Sequence, residues 1–224
     1  MPEMVETYYQ NIVGADGTIL KRELLTRLGP NPGGPSLEEF FLKISPEKSM
    51  EITVNQIEIA ARVYENSGTA CSVNVDNCTW LDDRLKELLI EAVNRYATPL
   101  VLEFTELRPM PPPDEINAVL LDLKRHGVKL ALDDFGTGLN GISVFADYDF
   151  DIVKIDRKLT LGLQERPQKL QVLAHVLDLL NLLGKDHVVE GVEDDAHLKA
   201  LVGVGFTTFQ GFVFHRPAPV EELL

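Results

Sequence analysis

The sequence is poor in the features that mark stapled, membrane-spanning or polyanion-binding chains. Only two of its 224 residues are cysteine, so no disulfide framework is available. Cys71 and Cys78 lie in or just after an apolar run and read as buried reduced thiols. No stretch reaches the roughly 18 apolar residues of a membrane span. Met1–Tyr9 is acidic and lacks an apolar core, so no leader peptide is read there and the cytoplasm is the default expectation. Positive charge is scarce too: 21 Lys and Arg face 35 Asp and Glu, a formal net charge of −14. That balance excludes a general DNA- or RNA-duplex binder, which needs a basic face. An anionic substrate would need bound cations and a few placed basic side chains. Repeats, low-complexity stretches and linkers are absent, and Gly and Pro concentrate in short pieces such as Gly29–Pro35 and Pro111–Pro113.

What is present is an ordinary globular composition, 45% hydrophobic, in a length that suits one barrel-sized domain over residues 1–224. From residue 70 onward short strand-like runs alternate with longer helical ones. The strand-like runs are Ala70–Val75, Pro99–Phe104, Lys129–Leu132, Asp151–Ile155, His187–Val189 and Thr207–Phe209. Ile116, Val119, Leu120 and Leu123 have the spacing of one helix face, ended by Gly127. Leu81, Leu85, Leu88 and Ala92 repeat that spacing, with Thr79 as the expected N-cap. Leu170–Leu183 is apolar on more than one side, as for a helix packed between neighbours. Near the start, Tyr8–Val13 and Ile19–Leu25 flank Gly14-Ala15-Asp16-Gly17 and predict a hairpin. About eight strands alternating with helices favour a parallel sheet closed into a barrel, an open sheet being the alternative.

Polar residues fall at the C-terminal ends of these strands. Asn74, Glu103, Asp133 with Asp134, Glu190 and Gln210 each end a run, Glu106 and Glu193 follow shortly after, and Lys154 interrupts Ile152–Ile155. In a barrel these ends meet on one rim, where active sites form. Singly, each acid reads as a helix cap or a solvated loop charge, Asn74 as a turn residue and Asp156 as a cap. Together they crowd one rim with carboxylates, which stay ionised side by side only if a cation neutralises them. Hard oxygen donors without Cys or His suit Mg²⁺ or Mn²⁺ rather than zinc. Adjacent Asp133 and Asp134 could serve two metals, an arrangement suited to phosphoester hydrolysis. The histidines, His126, His175, His187, His197 and His215, show no ligand spacing and read as structural or surface.

These motifs resemble the EAL domain of cyclic di-GMP phosphodiesterases over nearly the whole chain. Gln10-Asn11-Ile12-Val13 is similar to the opening Q-P-I-V. Glu23-Leu24-Leu25-Thr26-Arg27 is similar to E-A-L-x-R. Glu103-Phe104-Thr105-Glu106 resembles E-x-T-E. Asp133–Gly138 matches D-D-F-G-T-G, Lys154-Ile155-Asp156 matches K-I-D, and Glu190–Glu193 matches E-G-V-E. Gln210-Gly211 followed by Arg216-Pro217 resembles the closing Q-G and R-P.

The resemblance implies a modified TIM-type (β/α)8 barrel whose first strand is antiparallel. It implies hydrolysis of cyclic di-GMP to linear 5′-pGpG with two Mg²⁺ or Mn²⁺ ions. Glu23, Asn74, Glu103 and Asp133 would hold one metal, and Asp133 would bridge to a second held by Asp134 and Glu190. Lys154 would sit beside the attacking water. Glu190, Glu106, Glu193 and Gln210 would complete the catalytic set, and Arg27 and Gln10 would bind substrate. A homodimer through the loop Leu139–Ala146 and the helix after it is a further implication. Leu24 replaces alanine of E-A-L; side chains alternate along a strand, so with Glu23 facing the barrel mouth Leu24 faces the helix layer. Residues 29–50 match the family poorly. A catalytically silent module that binds nucleotide or protein is the second reading, opposed by the retention of every identifiable ligand position.

Overall fold

The structure is a computed structural model that describes residues 5–30, 34–104, 110–137, 141–163 and 166–224. Its first two elements are the expected hairpin. Strands β1 (Val5–Gly14) and β2 (Ile19–Leu28) pair antiparallel, with Gln10 opposite Glu23 and Ile12 opposite Lys21. The turn is closed by Gly14 accepting from Gly17, and Asp16 Oδ1 accepts from the Thr18 amide.

Then follow α1 (Leu37–Lys43), α2 (Pro46–Ser67), β3 (Cys71–Val75), α3 (Asp83–Tyr96), β4 (Leu100–Phe104), α4 (Pro113–Arg125) and β5 (Lys129–Phe135). The second half runs α5 (Val144–Asp147), β6 (Ile152–Ile155), α6 (Arg157–Thr160), α7 (Pro167–Leu182), β7 (Asp186–Val189), α8 (Asp195–Val204), β8 (Thr208–Phe209) and β9 (Ala218–Pro219). Strands β2 to β8 neighbour one another in chain order, and β1 closes the ring by pairing with both β2 and β8. Every pairing from β2 through β8 is parallel, whereas β1 is antiparallel to its partners. The closed barrel with an antiparallel first strand is therefore observed, and the open sheet is not.

Alternation along the strands sorts the side chains. Ile12, Val101, Ala131, Ile152 and Val188, one from each of five strands, form a separate buried cluster that fills the barrel interior. The next residue of each parallel strand, Leu102, Leu132, Val153 and Val189, is fully buried against the helix layer. Leu24 follows this rule: it is fully buried in the cluster that includes Met50, Ile57 and Ala60 of α2.

Two local expectations are corrected. Thr79 does not cap a helix; it is buried inside a 3₁₀ turn, Asn77–Leu81, that Asp76 caps. The cap of α3 is Asp82, whose side chain accepts from the Arg84 amide. The buried stripe of α3 is accordingly Leu85, Leu89, Ala92 and Val93, while Leu81 and Leu88 are exposed. Helix α7 buries Leu173, Leu177 and Leu180 against its neighbours, but its other apolar face reaches solvent at Val172 and Leu182. Cys71 is buried, Cys78 is half-buried, and neither forms a disulfide. Leu139 and Asn140 of the loop assigned to a dimer lie outside the described residues, and Ile142 beyond them is exposed.

Candidate active site

Two residues beyond the apolar interior layer, the same inward face turns polar. Val101 is followed by Glu103, Ala131 by Asp133, Ile152 by Lys154 and Val188 by Glu190, all toward the C-terminal mouth. Glu23 of β2 joins them from the hairpin. Lys154 is 1% exposed and sits at the centre. Its Nζ lies 2.6 Å from Glu103, 2.8 Å from Glu190, 3.0 Å from Asp133 and 3.4 Å from Glu23. One ammonium thus faces four carboxylates.

Burial would lower the pKa of Lys154, but the four acids outweigh it and hold the ammonium well above its ordinary value. The carboxylates divide. Burial and the Glu23 charge push Glu103 up to about 8, and burial also raises Asp133 and Glu190. Glu23 goes the other way: burial opposes its charge, but Lys154 and donors from Gln210 and Asn74 overcome this and lower its pKa. Asn74 Nδ2 donates to Glu23 Oε1 at 3.2 Å and Gln210 Nε2 to Glu23 Oε2 at 2.6 Å.

Asp133 and Asp134 are consecutive, and in a regular strand they would point to opposite faces. The pairing of β5 with β6 shifts register between Leu132 and Phe135, and Asp134 takes φ 54°, a left-handed conformation that aspartate tolerates better than most residues. The irregularity brings one oxygen each of Asp133, Asp134 and Glu190 within 4.8 Å of one another. The donors available to a cation are all oxygens from Glu23, Asn74, Glu103, Asp133, Asp134 and Glu190. Their excess negative charge, left partly protonated without a cation, fits hard divalent ions.

The mouth opens into two hollows of similar size, about 390 and 400 Å³, that share Glu23, Leu25, Arg27 and Asp133. One extends under α1 and α2, past Phe41, Ile52 and Gln56. The other passes Arg157, Gly191, Gly211 and Phe212. Gly211 has no room for a side chain, since a Cβ would lie 2.0 Å from the carbonyl oxygen of Val192. Gly191 takes φ +63°, and the Arg157 side chain packs where its Cβ would be.

This chemistry can be set beside known proteins. The EAL domain family matches residues 3–217. The chain belongs to the EAL domain family. Curated relatives include the probable cyclic di-GMP phosphodiesterase PdeG of Escherichia coli K12, 28% identical over 99% of this chain and 46% of the relative. The cyclic di-GMP phosphodiesterase PdeH of the same organism is 28% identical over 96% of this chain and 84% of its own length. This EAL chain thus spans about half the length of the first of these relatives. Among solved structures, Klebsiella pneumoniae BlrP1 in a manganese and cyclic di-GMP complex superposes with TM-score 0.83 at 26% identity, over 98% of this chain and 58% of that one. An EAL domain protein from Listeria monocytogenes superposes with TM-score 0.84 at 24% identity, over 98% and 90% of the two chains, and shares the fold.

Within the EAL barrel, the expected site residues separate into a centre and a rim. Glu23, Asn74, Glu103, Asp133, Asp134, Lys154, Glu190 and Gln210 gather at the mouth. Gln10 lies beside them, 7% exposed and bonded to Gln210. Arg27 lines both hollows and donates to the Thr26 carbonyl at 2.9 Å. Glu193 stands on the rim, 2.8 Å from Arg157 Nη2. Asp156 is the cap foreseen for it, accepting from the Lys158 amide. Glu106 lies outside the described residues. Sequence reasoning missed Arg157, although its place directly after K-I-D marks it as a rim residue. It also missed the cover formed by α1 and α2.

No helix among the described residues is long and apolar enough to cross a membrane.

Proposed function

We propose that this chain hydrolyses cyclic di-GMP to linear 5′-pGpG with two divalent cations, Mg²⁺ or Mn²⁺. The observation that carries the reading is the full set of oxygen donors around Lys154 at one barrel mouth. Two ions there would lower the pKa of the attacking water and neutralise charge on the phosphoryl group. Glu23, Asn74, Glu103 and Asp133 would hold one ion; Asp133, Asp134 and Glu190 would hold the other. The two hollows of similar volume suit a substrate with two like halves, one guanosine in each.

The chain's own groups divide the remaining work. Lys154, locked among carboxylates, stays charged and is aimed at the developing charge on phosphorus-bound oxygens. Glu190, at the mouth 2.8 Å from Lys154, would accept a proton from the attacking water. Water oxygen joins phosphorus, the bond from phosphorus to the 3′ oxygen breaks, and a proton goes to that oxygen. Arg27 offers its planar fork to substrate phosphate where the two hollows meet. Chromatography of a reaction of the purified chain with cyclic di-GMP and Mn²⁺ tests this. A product that co-elutes with 5′-pGpG is expected; intact substrate, or GMP formed without a pGpG intermediate, would refute the proposal.

A further inference from the structure

Two glutamines from opposite ends of the chain lie in series between the carboxylate cluster and the C-terminal segment. Gln210 Nε2 donates to Glu23 Oε2 at 2.6 Å and to Gln10 Oε1 at 3.1 Å. Gln10 Nε2 donates to the main-chain carbonyl of His215 at 2.8 Å. Both ends of the series, an ionised carboxylate and a carbonyl, only accept. The His215 carbonyl therefore admits only the NH₂ end of Gln10, which turns Gln10 Oε1 toward Gln210. Gln10 Oε1 in turn admits only the NH₂ end of Gln210. Gln210 directs its NH₂ to Glu23 and Gln10, and its own Oε1 is buried with no partner among the described residues.

The His215 carbonyl is anchored by other contacts. The His215 ring stacks on Tyr9 with centroids 4.9 Å apart, and its Nδ1 accepts from the Asn11 amide at 3.4 Å. Ala218 and Pro219 of β9 then pair with Tyr9 and Tyr8 of β1. Val220 is buried, and Asn66 Nδ2 donates to the carbonyls of Leu223 and Leu224.

We infer that Gln10 is a positioning residue: with the His215 carbonyl it fixes the amide polarity of Gln210, which then braces Glu23 with a donor and presents Oε1 as an acceptor to an O–H of the attacking water. Each end of the Gln10 amide holds a partner within the protein, and the positioning role rests on those two bonds. The kinetic consequence rests on the phosphodiesterase reading; the amide polarity does not.

The test has two arms. In metal-free protein labelled with ¹⁵N in glutamine side chains, the Gln210 amide protons are expected to exchange slowly. Gln10→Met, similar in size but with only a weakly accepting thioether, should speed that exchange by about tenfold or more, because the buried donor loses its strong partner. Gln10→Glu still accepts from Gln210, so its exchange should stay within about threefold of the parent. In the Mn²⁺-loaded enzyme, Gln10→Met should lower kcat by roughly 10- to 100-fold with KM within about threefold. Added to Gln210→Met, it should cost no further kcat, as expected of residues that act as a unit. Unchanged exchange in Gln10→Met, or fast exchange in Gln10→Glu if the methionine variant fails to fold, overturns the relay. A raised KM with kcat retained overturns the positioning role and makes Gln10 a substrate contact. A parent that turns over no cyclic di-GMP removes the phosphodiesterase reading and leaves the exchange arm to decide the relay.

Discussion

Replacing Lys154 with methionine removes the one ammonium that four carboxylates share while keeping most of the side chain's bulk. At about 3 Å and an effective dielectric of about 20, each contact with an ionised carboxylate carries about 5 kcal/mol of bare attraction, and Glu103, which keeps its proton near neutral pH, contributes less. Desolvation of the charges offsets most of that sum, and breaking a buried ion pair from one side costs about 3–5 kcal/mol. In a chain of this length, at about 2–4 °C per kcal/mol, the metal-free variant should melt about 6–20 °C below the parent. Divalent cations supply the missing charge, so Mn²⁺ should close most of the gap and still bind. Turnover should nevertheless stay about 10²- to 10⁴-fold down, because no positioned ammonium meets the charge developing at phosphorus. Thermal melts with chelator and with Mn²⁺, calorimetry of Mn²⁺ binding and initial rates on cyclic di-GMP read these three quantities. A metal-free melting point within about 2 °C of the parent would refute the electrostatic reasoning. Loss of metal binding, or near-parental turnover, would refute the role given to Lys154.

Glu23→Gln should instead weaken metal binding and turnover together, and high Mn²⁺ should restore part of the rate; a kcat loss with unchanged metal affinity would assign Glu23 elsewhere. Because Glu103 is pushed up to about 8 by burial and by Glu23, the metal-free folded chain keeps a proton there that the unfolded chain has released. The stability of the parent relative to Glu103→Gln should therefore fall as pH rises from the ordinary carboxylate range toward about 8; chemical denaturation of both with chelator in which that difference rises over this window would contradict the sign. Metal binding should displace that proton, so titrations in buffers of different ionisation enthalpy should reveal proton release near neutral pH and little above about pH 9. Gly211→Ala should destabilise the fold and the mouth together, since its Cβ would meet the Val192 backbone rather than a flexible side chain; a fully stable, fully active variant would show the approach to be looser than described.

The barrel was legible because its signals are local and periodic. The hairpin could be read from a turn of small and acidic residues between two apolar runs, and the strands from their spacing. Placing the acids on one rim needed only alternation: a polar residue two positions after an inward apolar one stays on the inward face. The cap of α3 was misplaced because Leu81 and Leu88 continue the apolar spacing by chance on a solvent face, so that Asp82 was overlooked. Helices α1 and α2 were passed over amid the Gly/Pro-rich pieces, although Ser36 with Glu39 forms a capping box and Ser45-Pro46 opens α2. Contacts such as Gln210 with Gln10 join residues 200 positions apart, and no pattern within either segment encodes them. The central place of Lys154 is of the same kind: a charge inside an apolar strand signals that something must compensate it, but only the closed barrel shows that four strands do.

The most direct test is a time course of cyclic di-GMP with the purified chain, first in excess chelator and then after addition of Mg²⁺ or Mn²⁺. Metal-dependent phosphodiesterase chemistry at the Lys154 cluster predicts no turnover with chelator and prompt formation of 5′-pGpG once the cation is restored. Undiminished hydrolysis in chelator, or none with either cation bound, would contradict it.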